Sequence, residues 1–287
     1  MSEDTTERSQ AVRESTYDRS GRGPRAFLSG VFRSYRWRRE SQPFVILFVP
    51  RTGSNYLAAL LDTHPDVLCH HELFLPDSAH RSLSVREGLV DLDVGSATER
   101  DRNPYAFLHH IFGNDLGRKA VGFKMALSDA NRLVLLSIIL NRSIAKVIVR
   151  RDNWLQVYTS ALIAEETNTL IRFASGETDG QRSASPKVHV DARSLRRYVR
   201  KRRFGYGLLN LLLRATAQRS FWLEYHQMQE GRRLKELLGF LGVASDVELR
   251  ARTVKQNPSR LRDRIANFDE VYSALEGTRY ATFLSDD

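Results

Sequence analysis

From Pro43 onward the chain alternates short, continuous apolar runs with stretches of helical periodicity. Phe44-Val-Ile-Leu-Phe-Val49 is apolar at every position, the mark of a strand buried on both faces. Pro50-Arg-Thr-Gly-Ser54 interrupts it, and Asn55 to Thr63 then carries Tyr56, Leu57, Leu60 and Leu61 at helical spacing. Asp66-Val-Leu-Cys69 reads as a second strand, Ala120-Val-Gly-Phe-Lys-Met125 as a third and Ile144-Ala-Lys-Val-Ile-Val149 as a fourth. Helices are expected over Ser128 to Leu140, with Ser128 as N-cap, and over Asn153 to Asn168. Residues 76–118, rich in Asp, Ser, Gly and Arg, predict loops with one short helix near Tyr105 to Phe112. Beyond a Gly/Ser-rich loop, Gly176 to Pro186, Leu208 to Tyr225 reads as helical and then extended, with Ser220 to Tyr225 the last strand. Arg232 to Leu241 is a helix stopped by Gly242, and Leu261 to Leu275 a C-terminal helix. Strands alternating with helices predict an α/β fold with a central parallel sheet flanked by helices.

The first forty residues have a different texture. Residues 1–24 are polar and read as disordered. Between Arg25 and Arg39, Phe27, Val31, Phe32, Tyr35 and Trp37 interleave with arginines. That pattern suits peripheral contact with a membrane, and it equally suits docking on the protein's own domain. The expected organisation is a basic extension, 1–41, and one domain, 42–287, without internal repeats. No apolar run approaches the ~20 residues needed to span a bilayer; the longest, Leu133 to Leu140, contains Ser137. With no secretory signal at the N-terminus, the expected location is the cytoplasm.

Composition narrows the chemistry. The chain has 287 residues and a single cysteine, Cys69, so no internal disulfide or multi-cysteine metal site can form. Net charge is +10, and 37 of the 44 basic residues are arginine, whose planar fork of donors suits phosphate, sulfate and carboxylate groups. An anionic partner is implied, without a choice among nucleic acid, lipid and small molecule.

Two constellations sharpen that choice. Pro50-Arg-Thr-Gly-Ser-Asn55 lies where a buried strand meets a helix, exposing backbone amides and the positive end of a helix dipole. It lacks the terminal Gly-Lys-Ser/Thr of a nucleotide triphosphate loop. Val149-Arg-Arg-Asp-Asn-Trp-Leu-Gln-Val-Tyr-Thr-Ser160 repeats the arrangement, with Arg151 preceding a helix that carries Ser160. Each alone also fits an ordinary strand–helix turn.

Together they resemble the sulfotransferase family that uses 3′-phosphoadenylyl sulfate (PAPS). Gln42-Pro-Phe-Val-Ile-Leu47, Pro50-Arg-Thr-Gly53, His64-Pro-Asp-Val67 and Glu72-Leu73 are similar to the opening of bacterial carbohydrate sulfotransferases of the nodulation-factor type. Asn267-Phe-Asp-Glu270 and Tyr280-Ala-Thr-Phe-Leu284 resemble that group's C-terminus. The resemblance spans roughly residues 42–284 and is patchy over 76–118 and 170–218. It implies a P-loop-like fold in which Arg51, Thr52, Gly53, Ser54 and Asn55 cradle the 5′-phosphosulfate of PAPS. Arg151 and Ser160 would hold the 3′-phosphate. The family's commoner spacing is one residue shorter and lands on Thr159; bacterial relatives carry the extra residue, which favours Ser160. Lys255 would be the divergent counterpart of a basic clamp on the nucleotide. Glu72 matches the position of the family's base, with His71 as runner-up, and Lys124 in Gly122-Phe-Lys matches a Gly-x-Lys pattern of the bacterial relatives, where it would stabilise charge on the transferring sulfuryl or orient the acceptor. Arg51 assists at the transferring group.

Cys69, His70, His71 and Glu72 are four ligand types in a row, but successive strand side chains point to opposite faces, so they do not converge on one metal. The expected reaction needs PAPS and no metal, and its acceptor is a small molecule or glycolipid, with a sugar hydroxyl suggested by the nodulation-type resemblance. The run Arg193, Arg196, Arg197, Arg200, Lys201, Arg202 and Arg203 has no acid between Asp191 and Glu224 and no nucleic-acid motif. It reads as a solvated face, or as a rim that attracts an anionic acceptor or lipid. Two other classes remain: a nucleotide kinase or NTPase, which ATP hydrolysis would reveal, and a non-catalytic basic module, which salt-sensitive duplex binding would reveal.

Overall fold

A computed structural model describes residues 41–75, 82, 85, 88, 91–93, 95–128, 131–167, 186–250 and 260–285. The expectations for 1–24 and 25–39, the loop at 176–185 and the role of Lys255 fall outside these residues.

Five strands, β1 (Gln42–Phe48), β2 (Val67–Glu72), β3 (Ala120–Ala126), β4 (Ala145–Arg150) and β5 (Ser220–Glu224), form one sheet in the order β2-β3-β1-β4-β5. Every neighbouring pair is parallel. The helices are α1 (Ser54–Leu61), α2 (Ala97–Arg102), α3 (Pro104–Gly113), α4 (Arg132–Leu140), α5 (Trp154–Thr167), α6 (Ala192–Ala215), α7 (Gly231–Leu241), α8 (Leu261–Arg264) and α9 (Phe268–Leu275). They cover both faces of the sheet, as the sequence pattern predicts.

Alternation along β1 builds two cores. Val45, Leu47 and Val49 pack with α3, α4, α5 and α6 on one face. Phe44, Ile46 and Phe48 pack with α1 and α7 on the other. The register pairs Phe44 with Gly122, where a Cβ would come within 2.5 Å of the Phe44 carbonyl oxygen; the close approach of β1 and β3 requires glycine there.

Several elements differ from the sequence reading. The second strand runs on to Glu72 instead of ending at Cys69, with an irregular register between His70 and Glu72. Helix α4 starts at Arg132, with Asn131 and not Ser128 at its N-cap. Residues 192–215 form one continuous 24-residue helix, α6, through Gly205 and Gly207. Its buried face, Leu195, Val199, Tyr206, Leu209 and Leu213, keeps helical spacing across both glycines, and that burial outweighs about 1 kcal/mol per glycine. The expected C-terminal helix is split at Ile265, which bridges to Val188. The backbone there leaves the helical ladder: Val188 N–H donates to the Arg264 carbonyl and Ala266 N–H to the Val188 carbonyl, both at 2.9 Å.

Candidate active site

Strand order decides where the site lies. The chain leaves β1 toward β2 and β3 on one side and reaches β4 and β5 on the other, so the carboxyl ends of β1 and β4 flank a topological switch point. Both arginine-bearing turns open at that crevice.

The turn after β1 is tight. Arg51 and Gly53 both have positive φ, 73° and 93°, and the Thr52 hydroxyl, fully buried, donates to the Val49 carbonyl at 2.7 Å. Thr52 therefore spends its hydroxyl proton on holding the turn. A Cβ on Gly53 would lie 2.4 Å from Tyr225 Cδ2. The ladder of α1 begins with Leu57 N–H donating to the Gly53 carbonyl at 3.1 Å, which leaves the amides of Ser54, Asn55 and Tyr56 without a partner inside the helix. Asn55 Oδ1 is buried with no hydrogen-bond partner among the described residues. This end of α1 is a set of donors in a positive field, suited to an anion.

The turn after β4 separates its twin arginines. Arg150 pairs with Glu224 and, at 3.9 Å, with Asp152. Arg151, largely buried, donates to Gln156 Oε1 and lies over the Tyr225 ring at 4.4 Å. Tyr225, immediately after β5, thus touches both Gly53 and Arg151. Arg51 Nε donates to Ser160 Oγ at 2.9 Å, joining the turn after β1 to the helix after β4. Thr159 is fully buried, and its hydroxyl has no hydrogen-bond partner among the described residues. It is Ser160 that meets Arg51.

On the other side of β1, the ends of β2 and β3 bring Glu72 and Lys124 together at 2.5 Å. The Lys124 side chain is 1% exposed and that of Glu72 21%, so a solute reaches the carboxylate and not the ammonium. Lys124 Nζ also lies 4.6 Å from the centre of the Phe48 ring. Burial pushes the Lys124 ammonium down from its ordinary value, the Glu72 carboxylate opposes that shift, and the Arg51 charge adds to it. Burial likewise lowers Arg51. The irregular register after His70 puts Glu72, not His71, opposite Lys124, and His71 is closed off from solvent. Cys69 is fully buried with its thiol pushed well up, an inert group.

The structure therefore gathers Arg51, Thr52, Gly53, Ser54, Asn55, Arg151 and Ser160 around one crevice and sets Glu72 and Lys124 as a pair across β1. Sequence reasoning missed Tyr225 and Gln156. Tyr225 was within reach: a residue directly after a strand's carboxyl end is a site position in an open parallel sheet. Gln156 carried no such signal.

No family model matches the chain. A stretch of 32 residues, 11% of the chain, is 59% identical to Nodulation protein H of Rhizobium tropici and spans 13% of that protein's length. Among solved structures, the chain is similar to a sulfotransferase from Alicyclobacillus acidocaldarius at a TM-score of 0.44 and 14% identity, over 86% of this chain and 97% of that one. It is also similar to a sulfotransferase from Mycobacterium avium, at 0.41 and 10%, over 82% and 75% of the two chains.

Proposed function

We propose that this protein transfers a sulfuryl group from PAPS to an acceptor hydroxyl. The observation that carries the reading is the bond from Arg51 Nε to Ser160 Oγ at 2.9 Å, which makes one crevice of the two turns that the family resemblance assigns to the two ends of the nucleotide. The 59% identity to Nodulation protein H over 32 residues supports it.

The donor set fits a nucleotide carrying phosphate and sulfate. Backbone amides of Ser54 to Tyr56 and the guanidinium of Arg51 suit the 5′-phosphosulfate. Gly53 lets the backbone approach where any side chain would meet Tyr225. Arg151, positioned by Gln156 and Tyr225, suits the 3′-phosphate together with Ser160. PAPS supplies an activated sulfuryl group, and the products are a sulfate ester and adenosine 3′,5′-bisphosphate.

Glu72 accepts the proton of the attacking hydroxyl as the new sulfur–oxygen bond forms and the bond to the 5′-phosphate oxygen breaks. Lys124, closed off from solute, fixes that carboxylate and adds its positive field from behind it, while Arg51 faces the charge that develops on the transferring group. These cations supply the charge stabilisation, so the reading calls for no metal. The acceptor it favours is a sugar hydroxyl on a glycolipid or glycosylated metabolite.

Glu72→Gln tests the base. Glutamine keeps an acceptor for Lys124 Nζ but cannot take a proton. Transfer from PAPS to sugar acceptors should fall by about 10²-fold or more, while binding of adenosine 3′,5′-bisphosphate stays nearly unchanged. A fully active variant would remove Glu72 from the role.

A further inference from the structure

One face of α6 is divided by chemistry along its length. Arg193, Arg197, Arg200, Phe204, Leu208 and Leu211 follow one another at three- and four-residue intervals, so they form a single stripe. It points outward, opposite the buried face of Leu195, Val199, Tyr206, Leu209 and Leu213. Phe204 is 74% exposed, Leu208 56% and Leu211 65%. The N-terminal half of the stripe is cationic and the C-terminal half apolar.

The cationic half borders a concavity of about 510 Å³ lined by Arg193, Arg196, Arg197, Arg200 and Arg279, with no carboxylate in its wall. Among the described residues, none of Arg193, Arg197 and Arg200 is in an ion pair. Helix α4 packs into the same core as α6, and the two are tied at their ends by Arg142 Nε to the Thr216 carbonyl, 3.2 Å, and Gln218 Nε2 to the Leu140 carbonyl, 3.0 Å. Helix α4 exposes Leu133 and Leu136.

We propose that this face of α6 docks the protein on an anionic lipid surface, with phosphate headgroups in the arginine cleft and Phe204, Leu208 and Leu211 entering the acyl boundary. Charge complementarity selects this occupant. The segment 25–39 carries five arginines and no acid, so its charge does not complement that of the cleft. A second copy of a chain carrying +10 fails to complement it in the same way. Nucleic acid satisfies the arginines but leaves three large apolar side chains in a row against water. A bilayer that is anionic outside and apolar beneath satisfies both halves. Tyr206 anchors α6 at the carboxyl ends of β1 and β4, and Arg193 lies about 20 Å further along the helix. The arginine half therefore extends past the end of the sheet where the site opens. The inference stands whether or not the site transfers sulfuryl groups.

The test is co-sedimentation of the full-length protein with vesicles of phosphatidylcholine alone and of phosphatidylcholine mixed with phosphatidylglycerol. The protein should bind the mixed vesicles only, and less at high salt. An arginine near an anionic surface is worth about fivefold in partitioning, so Arg193→Gln/Arg197→Gln/Arg200→Gln should lower binding on the order of 100-fold. Phe204→Ser/Leu208→Ser/Leu211→Ser should also abolish most binding, without lowering the melting temperature, because all three side chains are exposed. The proposal fails if either triple variant binds like the parent, if no vesicle is bound, or if binding is equal on neutral vesicles. It fails equally if duplex DNA is bound in place of vesicles, or if the apolar variant merely converts a dimer to a monomer.

Discussion

At Gly53 two constraints fall on one residue. Its φ of 93° disfavours any side chain, and the Tyr225 ring occupies the space a Cβ would fill, with Cδ2 2.4 Å away. Gly53→Ala should therefore cost about 1–3 kcal/mol of stability and displace the ring that stacks on Arg151. Chemical denaturation measures the first effect; an unchanged midpoint would mean that the turn and Tyr225 yield freely. Arg51, two residues earlier, holds a φ of 73° without being glycine. Backbone strain of this kind gathers where a turn must aim a particular side chain, and here the side chain is the one that meets Ser160. Much of this was legible in the sequence, because Arg51, Gly53 and Ser54 act through their position between a strand and a helix. Tyr225 was legible only as a position directly after a strand; its contacts with Gly53 and Arg151 were not, since they depend on β5 lying beside β4, far from Gly53 in the chain.

Among the elements, α6 does more than cover the sheet. The Tyr206 hydroxyl donates to the Val149 carbonyl at 2.7 Å and accepts from Val49 N–H at 3.2 Å. One side chain thereby bridges the ends of β1 and β4, from which both arginine turns spring. Burial pushes its phenol well up, so it remains a donor throughout the working pH range. Tyr206→Phe keeps the ring but strands a buried N–H and a buried C=O, and should destabilise the fold by about 1–3 kcal/mol. A variant with the parent's denaturation midpoint would show that the bridge contributes nothing. The sequence does not reveal this because Gly205 and Gly207 flank the tyrosine and argue locally for a break. Glycine's penalty is local, whereas the burial that offsets it is tertiary. The same contrast explains Ile265. Its surroundings read as helical, yet pairing with Val188 interrupts the helix, and no local pattern announces a partner that distant. Glu72 is a milder case: the histidines before it look polar enough to end β2, but both are buried within the sheet.

For the whole molecule, the decisive fact is the strand order β2-β3-β1-β4-β5. The apolar runs identify the strands and the alternation identifies a parallel sheet, but neither states that β1 sits between β3 and β4. That placement puts the Arg51 turn next to the Arg151 turn on one side and next to the Glu72–Lys124 pair on the other. On the proposed function, the end of β1 is where nucleotide and acceptor would meet. By the same proposal the crevice between β1 and β4 recognises a 3′-phosphate, which calorimetric titration with adenosine 3′,5′-bisphosphate, run beside AMP, can measure. Binding should be micromolar, prefer the 3′-phosphorylated nucleotide and weaken by about thirtyfold or more in Arg151→Ala. Equal binding of the two nucleotides, or binding that Arg151→Ala leaves intact, would contradict that proposal.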